Sequence, residues 1–306
     1  MRVGVVDLGT NSTRLLVADV HDGRVEEVAR ELTITRLGEG VDERRKLLPV
    51  AVARVRNVLS DYRRELERLG ADRVLVLATS SVRDAENGEA FLGEIEWSYG
   101  FTTRLLSGEE EAELTRRGVA GGRELDPDAL VVDIGGGSTE LITEREQISL
   151  DVGSVRLTER FLHSDPPAGE ELDAAARAVR ELLPDLHPTE AIGVAGTITS
   201  LAALELGEYD PERVHGYRLS REAVEAQLEH LASLPLDERR GLPGLDPDRA
   251  PVIVAGAAII NEVMKRYDLA ELEVSERDLL HGAALAAAAL AEPQEGEAPP
   301  GAYTCC

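Results

Sequence analysis

The stretch that decides the fold occurs twice in this chain. Residues 7–16 read Asp-Leu-Gly-Thr-Asn-Ser-Thr-Arg-Leu-Leu, and residues 133–142 read Asp-Ile-Gly-Gly-Gly-Ser-Thr-Glu-Leu-Ile. Asp, Gly, Ser, Thr and Leu occupy the same offsets in both copies, and apolar runs flank each copy. The pattern predicts a strand, a tight turn and an antiparallel strand, once in each of two domains.

The residue types in the two turns favour phosphate binding. Glycines let the backbone approach an anion and point its N–H groups at it, and Ser and Thr hydroxyls add donors. The alternative is that both turns are ordinary structural hairpins. Because the two copies match so closely, phosphate binding is the favoured interpretation. We therefore predict substrate contacts from eight turn residues: Gly9, Thr10, Asn11, Ser12, Gly135, Gly136, Gly137 and Ser138.

Length and charge narrow the class of protein. A chain of 306 residues exceeds what one hydrophobic core usually organises, so two domains are expected. The net charge of −25 repels nucleic acid phosphates and predicts no nucleic acid partner. The only lysines, Lys46 and Lys265, do not follow a glycine-rich loop, which excludes a P-loop.

The sequence also predicts where the protein resides. The longest apolar stretch, residues 283–291, is shorter than the roughly 20 residues that span a bilayer, so no membrane association is expected. The only cysteines are the neighbours Cys305 and Cys306, which excludes a disulfide framework. We expect a cytoplasmic protein.

Four further segments make the chain recognisable. The paired turns resemble the phosphate loops of the actin/Hsp70/sugar-kinase superfamily, and these segments narrow the resemblance to the Ppx/GppA family of exopolyphosphatases and guanosine pentaphosphate phosphohydrolases. The likeness runs from residue 3 to about residue 290, and the length resembles the family's short form. The segments are ATSSVRDAENG (78–88), LSGEEEA (106–112), GSVRLTER (153–160) and GVAGT (193–197).

The resemblance implies an α/β, two-lobed actin-like ATPase fold, also called ribonuclease H-like, with duplicated domains and an interlobe cleft. The first lobe is expected to span residues 1–120 and the second residues 121–291, with the final helix able to pack back on the first lobe. Residues 292–306, rich in Pro, Gly and Glu, are expected to form a flexible tail. The hinge between lobes is expected near residues 118–128.

Two catalytic residues are implied by the resemblance, Glu111 to activate water and Arg83 to contact phosphate. The residues themselves leave room for both roles. A capping box from Ser107 to Glu110 explains the neighbouring acids but leaves Glu111 unassigned. Arg83 follows the carboxyl end of a predicted strand, where open α/β sheets bind ligands.

The metal and the substrate follow from the same resemblance. Mg²⁺ would be held by Asp133 and Glu140, and Arg14 and Arg156 would join Arg83 in contacting a phosphate chain. The implied activity is release of terminal orthophosphate from inorganic polyphosphate. The alternatives are hydrolysis of guanosine pentaphosphate (pppGpp), a small-molecule kinase, or a non-catalytic nucleotide-binding regulator. A homodimer is possible.

Several features stay open. Residues 248–252 (DRAPV) depart from the Gly-Arg-x-Asp that such proteins often carry at the entrance of a following strand. Residues 251–260 fit either a strand or a helix. Residues 193–197 can line a substrate pocket or only pack a helix, and His281 can face phosphate or play a structural role. Residues 38–45 are expected to form a surface loop near the cleft.

Overall fold

The computed structural model describes residues 1–290, which form two compact units. Unit 1 comprises Met1–Arg123 and the segment from Leu279 onward, and unit 2 comprises Glu124–Asp278. The boundary expected from the sequence lies between residues 120 and 121. The predicted flexible tail, residues 292–306, lies outside the described residues.

Unit 1 is built on a five-stranded sheet with the strand order β3-β2-β1-β4-β5. The first three strands are antiparallel, while β4 runs parallel to β1 and β5 parallel to β4. The strands are β1 (Arg2–Leu8), β2 (Ser12–His21), β3 (Arg24–Ile34), β4 (Arg73–Ala78) and β5 (Thr102–Leu105). Its helices are α1 (Val41–Arg44), α2 (Pro49–Leu69), α3 (Ser80–Arg83), α4 (Gly88–Tyr99), α5 (Gly108–Ala120) and α13 (Leu279–Ala289).

The two faces of this sheet are covered by different helices. On one face α2 buries Val55, Leu59 and Tyr62, and it ends at Gly70, whose φ of 68° suits glycine. On the other face α13 packs against α5 and against the apolar side chains of β1 and β4. The backbone contact is so close that a Cβ on Gly282 would lie 1.9 Å from the Leu114 carbonyl oxygen. Both chain segments of unit 1 therefore share one core.

Unit 2 is built on a six-stranded sheet with the order β10-β11-β9-β6-β7-β8. The strands are β6 (Ala129–Ile134), β7 (Thr139–Ile142), β8 (Gln147–Leu150), β9 (Glu190–Val194), β10 (Arg218–Ser220) and β11 (Glu271–Val274). The helices are α6 (Ser154–Phe161), α7 (Gly169–Leu182), α8 (Ala195–Leu206), α9 (Pro211–Val214), α10 (Arg221–Ser233), α11 (Leu236–Arg239) and α12 (Ile253–Arg266).

The sequence repeat belongs to a larger structural repeat, because the sheets of the two units share the same arrangement of five strands. The order β8-β7-β6-β9-β11 matches β3-β2-β1-β4-β5, and each corresponding pair of strands has the same relative direction. In both units the repeat forms the first hairpin. The predicted α/β class with duplicated ribonuclease H-like domains is confirmed, while the cleft between them stays a prediction.

Two local expectations need correction. Residues 248–252 precede the helix α12 and not a strand, and nearly all of α12 is buried. A helix that is buried on nearly every side lacks the one-sided apolar spacing that distinguishes a helix from a buried strand. Residues 38–45 include α1, and Gly38 is buried, so this segment is only partly a surface loop.

Within residues 1–290 none of the helices combines the length and the hydrophobicity that crossing a membrane requires.

Candidate active site

Loop 1, residues 9–12, joins β1 to β2 in unit 1. The Gly9 amide donates to the Ser12 carbonyl oxygen at 3.0 Å, which closes the turn. A Cβ on Gly9 would lie 3.0 Å from that same oxygen, so the close turn requires glycine. Thr10 Oγ1 lies 2.9 Å from Ser80 Oγ, which ties the loop to α3. Loop 1 and the helix that carries Arg83 are thus held together.

Loop 2, residues 135–138, is the corresponding turn of unit 2. The Gly135 amide donates to the Ser138 carbonyl oxygen, also at 3.0 Å. The start of α6 supports it, because Arg156 Nε donates to the Gly137 carbonyl at 2.8 Å. A Cβ on Gly153 would lie 2.5 Å from the Gly136 backbone. The GSVR segment of the sequence therefore serves to brace loop 2.

The two hairpins differ at the residue opposite the aspartate. In unit 1 Asp7 pairs in register with Arg14, whose Nη2 lies 2.7 Å from Asp7 Oδ2 in a largely buried ion pair. In unit 2 Asp133 pairs in register with Glu140, and both are buried. Ser149 Oγ on β8 donates to Glu140 Oε1 at 2.8 Å. Unit 1 thus neutralises its aspartate with its own arginine, while unit 2 places two carboxylates side by side.

Glu111 and Arg83 are brought together in unit 1. Glu111 lies in the first turn of α5 with 8% of its surface exposed, and its Oε2 is 3.7 Å from Arg83 Nη1. The same Nη1 donates to the Leu106 carbonyl at 2.7 Å, which fixes the guanidinium at the start of α5. An acid next to a positioned guanidinium can orient water beside a bound phosphate group.

The capping box predicted for α5 is confirmed. Ser107 Oγ accepts from the Glu110 amide at 3.1 Å, and Glu110 Oε2 accepts from the Ser107 amide at 2.9 Å. Arg104 adds an ion pair to the Glu110 carboxylate. The bond from the Ser107 backbone, followed by the one from Arg104, lowers the pKa of Glu110. Glu110 therefore works as a structural cap, and Glu111 is free of that task.

The remaining candidates have contacts within their own units. His281 Nε2 lies 2.9 Å from Glu27 Oε1 on β3, which gives this histidine a structural partner. β9 runs directly into α8, and Ala195 at the junction has a φ of 65°. A Cβ on Gly196 would overlap the Arg249 guanidinium, so residues 248–252 reach the start of α8 despite their unusual sequence.

Two contacts of loop 1 were not foreseen from the sequence. One is the Thr10–Ser80 hydrogen bond, and the other is Gly38, where a Cβ would lie 2.3 Å from Thr10 Cγ2. Both join segments far apart in the chain, and no local pattern signals such a contact. The φ of Gly38 is ordinary, so close packing against Thr10 explains the glycine at this position.

The candidate residues are divided between the units. Loop 1, Arg83 and Glu111 belong to unit 1, whereas loop 2, Asp133 and Glu140 belong to unit 2. No cluster of three or more Asp, Glu, His or Cys side chains that could hold a metal occurs in residues 1–290. Two carboxylates still suit Mg²⁺, which commonly binds one or two protein carboxylates and completes its shell with water and substrate phosphate.

Known proteins share both the sequence and the fold. Exopolyphosphatase 2 of Mycobacterium tuberculosis is 39% identical, over 94% of this chain and 98% of that protein. The Vibrio vulnificus guanosine-5'-triphosphate,3'-diphosphate pyrophosphatase is 30% identical, over 91% of this chain and 58% of that protein. The solved structure of the Aquifex aeolicus PPX-GPPA enzyme matches with a TM-score of 0.79 at 32% identity, covering 94% of this chain and 99% of the other.

The match extends to the level of the family. The model of the Ppx/GppA phosphatase family covers residues 16–289, which includes most of both units. The resemblance inferred from the two loops and the four segments is thereby confirmed, together with the class of phosphoanhydride hydrolase. The chain belongs to the Ppx/GppA phosphatase family.

Proposed function

We propose that this protein is an exopolyphosphatase that releases orthophosphate from the end of inorganic polyphosphate by Mg²⁺-assisted hydrolysis. One observation carries the proposal: two glycine-hydroxyl loops closed by the same hydrogen bond, one of them tied to a paired Glu111 and Arg83. A relative named exopolyphosphatase 2 aligns over almost its whole length and supports the same substrate.

In this proposal the loops bind and the acid acts on water. The backbone amides and hydroxyls of loops 1 and 2 hold adjoining phosphates. Glu111 accepts a hydrogen bond from the attacking water and takes its proton as the water oxygen bonds to the terminal phosphorus. The bridging oxygen leaves with the shortened chain. Since a carboxylate is a weak base, orienting the water contributes more than removing its proton.

Arg83 acts on the developing negative charge. A guanidinium can grip two phosphate oxygens at once, and its hydrogen bond to the Leu106 carbonyl keeps it aimed. The distance of 3.7 Å between Arg83 Nη1 and Glu111 Oε2 supports the proposal that the two groups act on one terminal phosphoryl group and its attacking water. Arg83 therefore stabilises the negative charge of the transition state.

Asp133 and Glu140 are the residues that would hold the metal. Directly opposite residues on antiparallel strands have Cβ atoms about 4.5–5.5 Å apart, so the oxygens of both carboxylates can reach one cation. When bound, Mg²⁺ supplies neutralisation of phosphate charge and polarisation of the terminal group. The chain's −25 charge adds a second reason for a metal requirement, because the substrate is itself a polyanion.

Hydrolysis of pppGpp is the second candidate function, favoured by the relative from Vibrio vulnificus. A guanine base needs an apolar or aromatic pocket, and the chain offers three Phe and one Trp. Aliphatic residues around 193–197 are the remaining material for such a pocket. Polyphosphate requires no base pocket, which places it first. The sequence contains no recognisable motif for a sugar or acetate pocket with its own base, so a kinase ranks below both.

Competition between the two substrates decides between the candidates. Purified protein in saturating Mg²⁺ is given polyphosphate and pppGpp at equal concentration, and the release of each product is followed. We expect a higher kcat/KM for polyphosphate than for pppGpp, and a higher kcat on short chains than on long ones. A higher kcat/KM for pppGpp would reverse the order, and transfer of phosphate from ATP to a small acceptor would indicate the kinase.

Location and assembly are also part of the proposal. We place the protein in the cytoplasm, where both substrates would be met, and leave a homodimer possible. Cell fractionation and sedimentation of the purified protein test these two points.

A further inference from the structure

One short segment of unit 1 carries an unusual charge. Arg44, Arg45 and Lys46 form the only run of three consecutive cations in a chain whose net charge is −25. All three side chains are exposed, and the segment follows the short helix α1. We call residues 44–46 the basic turn. Exposed cations are often only a solvated surface, so the position of the basic turn decides whether it has a role.

The backbone before the basic turn is fastened to loop 1. The amide of Arg36 donates to the Asn11 carbonyl at 2.8 Å, and that of Gly38 donates to the Thr10 carbonyl at 2.8 Å. From Gly38 the chain makes two consecutive turns, in which the Val41 amide donates to the Gly38 carbonyl and the Arg45 amide donates to the Val41 carbonyl. The basic turn therefore begins six residues after Gly38, whose amide bonds loop 1.

The other side of the basic turn is fastened to the segment that follows Arg83. The Glu86 amide donates to the Arg45 carbonyl at 2.8 Å. The Asn87 side chain bonds both backbone groups of Leu47, with Oδ1 accepting at 2.8 Å and Nδ2 donating at 3.1 Å. The basic turn is thus held between the two parts of unit 1 that are proposed to bind phosphate.

Nearby acidic side chains do not cancel the attraction of the basic turn for a polyanion. Lys46 lies 3.4 Å from Glu86, but both side chains are more than 60% exposed, and such pairs contribute little. Asp42 and Glu43 on α1 offset part of the charge. A chain of phosphates carries many closely spaced charges, so it can replace exposed carboxylates as the partner of these cations.

We propose that the basic turn is an auxiliary anion-binding subsite, which holds phosphates of a polyphosphate chain beyond those bound by the two loops. The inference rests on the proposed function and adds that affinity rises with chain length. Tripolyphosphate is too short to fill the loops and reach the basic turn, whereas a chain of many phosphates can do both. The contact is electrostatic, so it weakens as the salt concentration rises.

The test compares a triple variant with the parent protein. Arg44→Gln, Arg45→Gln and Lys46→Gln together remove three charges and leave the backbone hydrogen bonds of the segment in place. For long-chain polyphosphate we expect the KM of the variant to be about fivefold to tenfold higher than that of the parent. We also expect the KM of the variant to depend less steeply on NaCl concentration. For tripolyphosphate KM should stay within twofold.

A charge-matched control separates position from overall charge. Arg63→Gln, Arg64→Gln and Arg68→Gln remove three exposed cations from α2, near Leu69. The Leu69 carbonyl accepts a hydrogen bond from Arg2, so this end of α2 lies at the start of β1. Loop 1 follows the other end of β1, about 20 Å away along the strand. This control should leave both KM values unchanged. Equal increases in the two triple variants, or an equal increase for both substrates, would overturn the inference.

Binding to an inactive variant distinguishes this inference from the proposed function. Glu111→Gln is titrated with long-chain polyphosphate, with and without the three basic-turn substitutions. If the substitutions weaken binding while the α2 control does not, the subsite is supported. Equal affinity in all three proteins overturns the subsite alone, and failure of Glu111→Gln to bind polyphosphate at all overturns the proposed function.

Discussion

Glu110 and Glu111 are neighbours in the first turn of α5 and have different tasks. Glu110 bonds the Ser107 amide and Arg104, while Glu111 is buried beside Arg83. The sequence alone separated them, because a capping box accounts for only one of two adjacent acids. Their burial and the 3.7 Å distance to Arg83 required the structure, since they depend on how β4, α3 and α5 meet.

Replacing Glu111 tests the chemical role directly. Glu111→Gln keeps the shape of the side chain and removes its basicity, so we expect turnover to fall at least about a thousandfold while substrate affinity stays within a few-fold. Glu109→Gln, an exposed neighbour in the same turn, is the matched control and should keep its activity. Near-normal phosphate release by Glu111→Gln would assign the base elsewhere, with Glu109 and Glu110 next to be tested.

Ala195 adopts a backbone conformation that costs stability. Its φ of 65° is disfavoured for a residue with a Cβ, and it stands where β9 enters α8. Ala195→Gly should raise the free energy of unfolding by about 1 kcal/mol, measured by denaturant titration. Ala202→Gly, the same change inside α8, should lower it by about 1 kcal/mol. Destabilisation by both would mean that the strain at Ala195 is relieved locally.

The cap of α5 gives this element a defined pH dependence. The pKa of Glu110 is lowered by the bond from the Ser107 amide and by Arg104. A carboxyl whose folded pKa is depressed contributes stability above its ordinary value of 4.5 and loses it as the pH falls through the folded value. The melting temperature of Glu110→Gln should therefore lie below that of the parent at pH 7, and the difference should shrink below pH 4.5. A difference that is constant with pH would contradict this origin.

The two hairpins predict different affinities for a divalent cation. Glu140→Gln removes one of the two opposed carboxylates of unit 2, so we expect Mn²⁺ binding, followed by electron paramagnetic resonance, to weaken at least about tenfold. Ser149→Ala removes a hydrogen bond to Glu140 and should weaken Mn²⁺ binding less than Glu140→Gln does. Asp173→Asn, which removes one exposed charge from α7, is the control. Unchanged binding in Glu140→Gln would exclude this hairpin as the metal site.

The elements differed in how well their sequences predicted them. α2 was predictable because its buried residues follow helical spacing between Pro49 and Gly70. The β1–β2 and β6–β7 hairpins were predictable because the same turn sequence occurs twice in the chain. α12 was not, because a helix buried on all sides has no polar face to reveal its period. The contacts of Gly38 and Ser80 with Thr10 depend on tertiary packing and leave no local signature.

At the scale of the whole molecule, unit 1 depends on two distant parts of the chain. Leu280, Ala283, Ala284 and Ala287 of α13 are fully buried in its core, against β1 among others. Ending the chain after Asp278 should therefore unfold unit 1, with loss of its melting transition and of activity. Ending it after Leu290 keeps α13 and should leave the melting temperature within a few degrees. An unchanged transition in the shorter protein would show that α13 is dispensable.

The placement of α13 also determines when each unit can be completed during synthesis. The ribosome finishes all of unit 2 after most of unit 1 has emerged but before α13 has been made. Since synthesis proceeds at about 5–20 residues per second, the apolar face of β1 and β4 lacks its α13 cover for on the order of 10 s. A nascent chain halted near residue 278 displays that face, and it is the form of this protein on which chaperone capture and aggregation should concentrate.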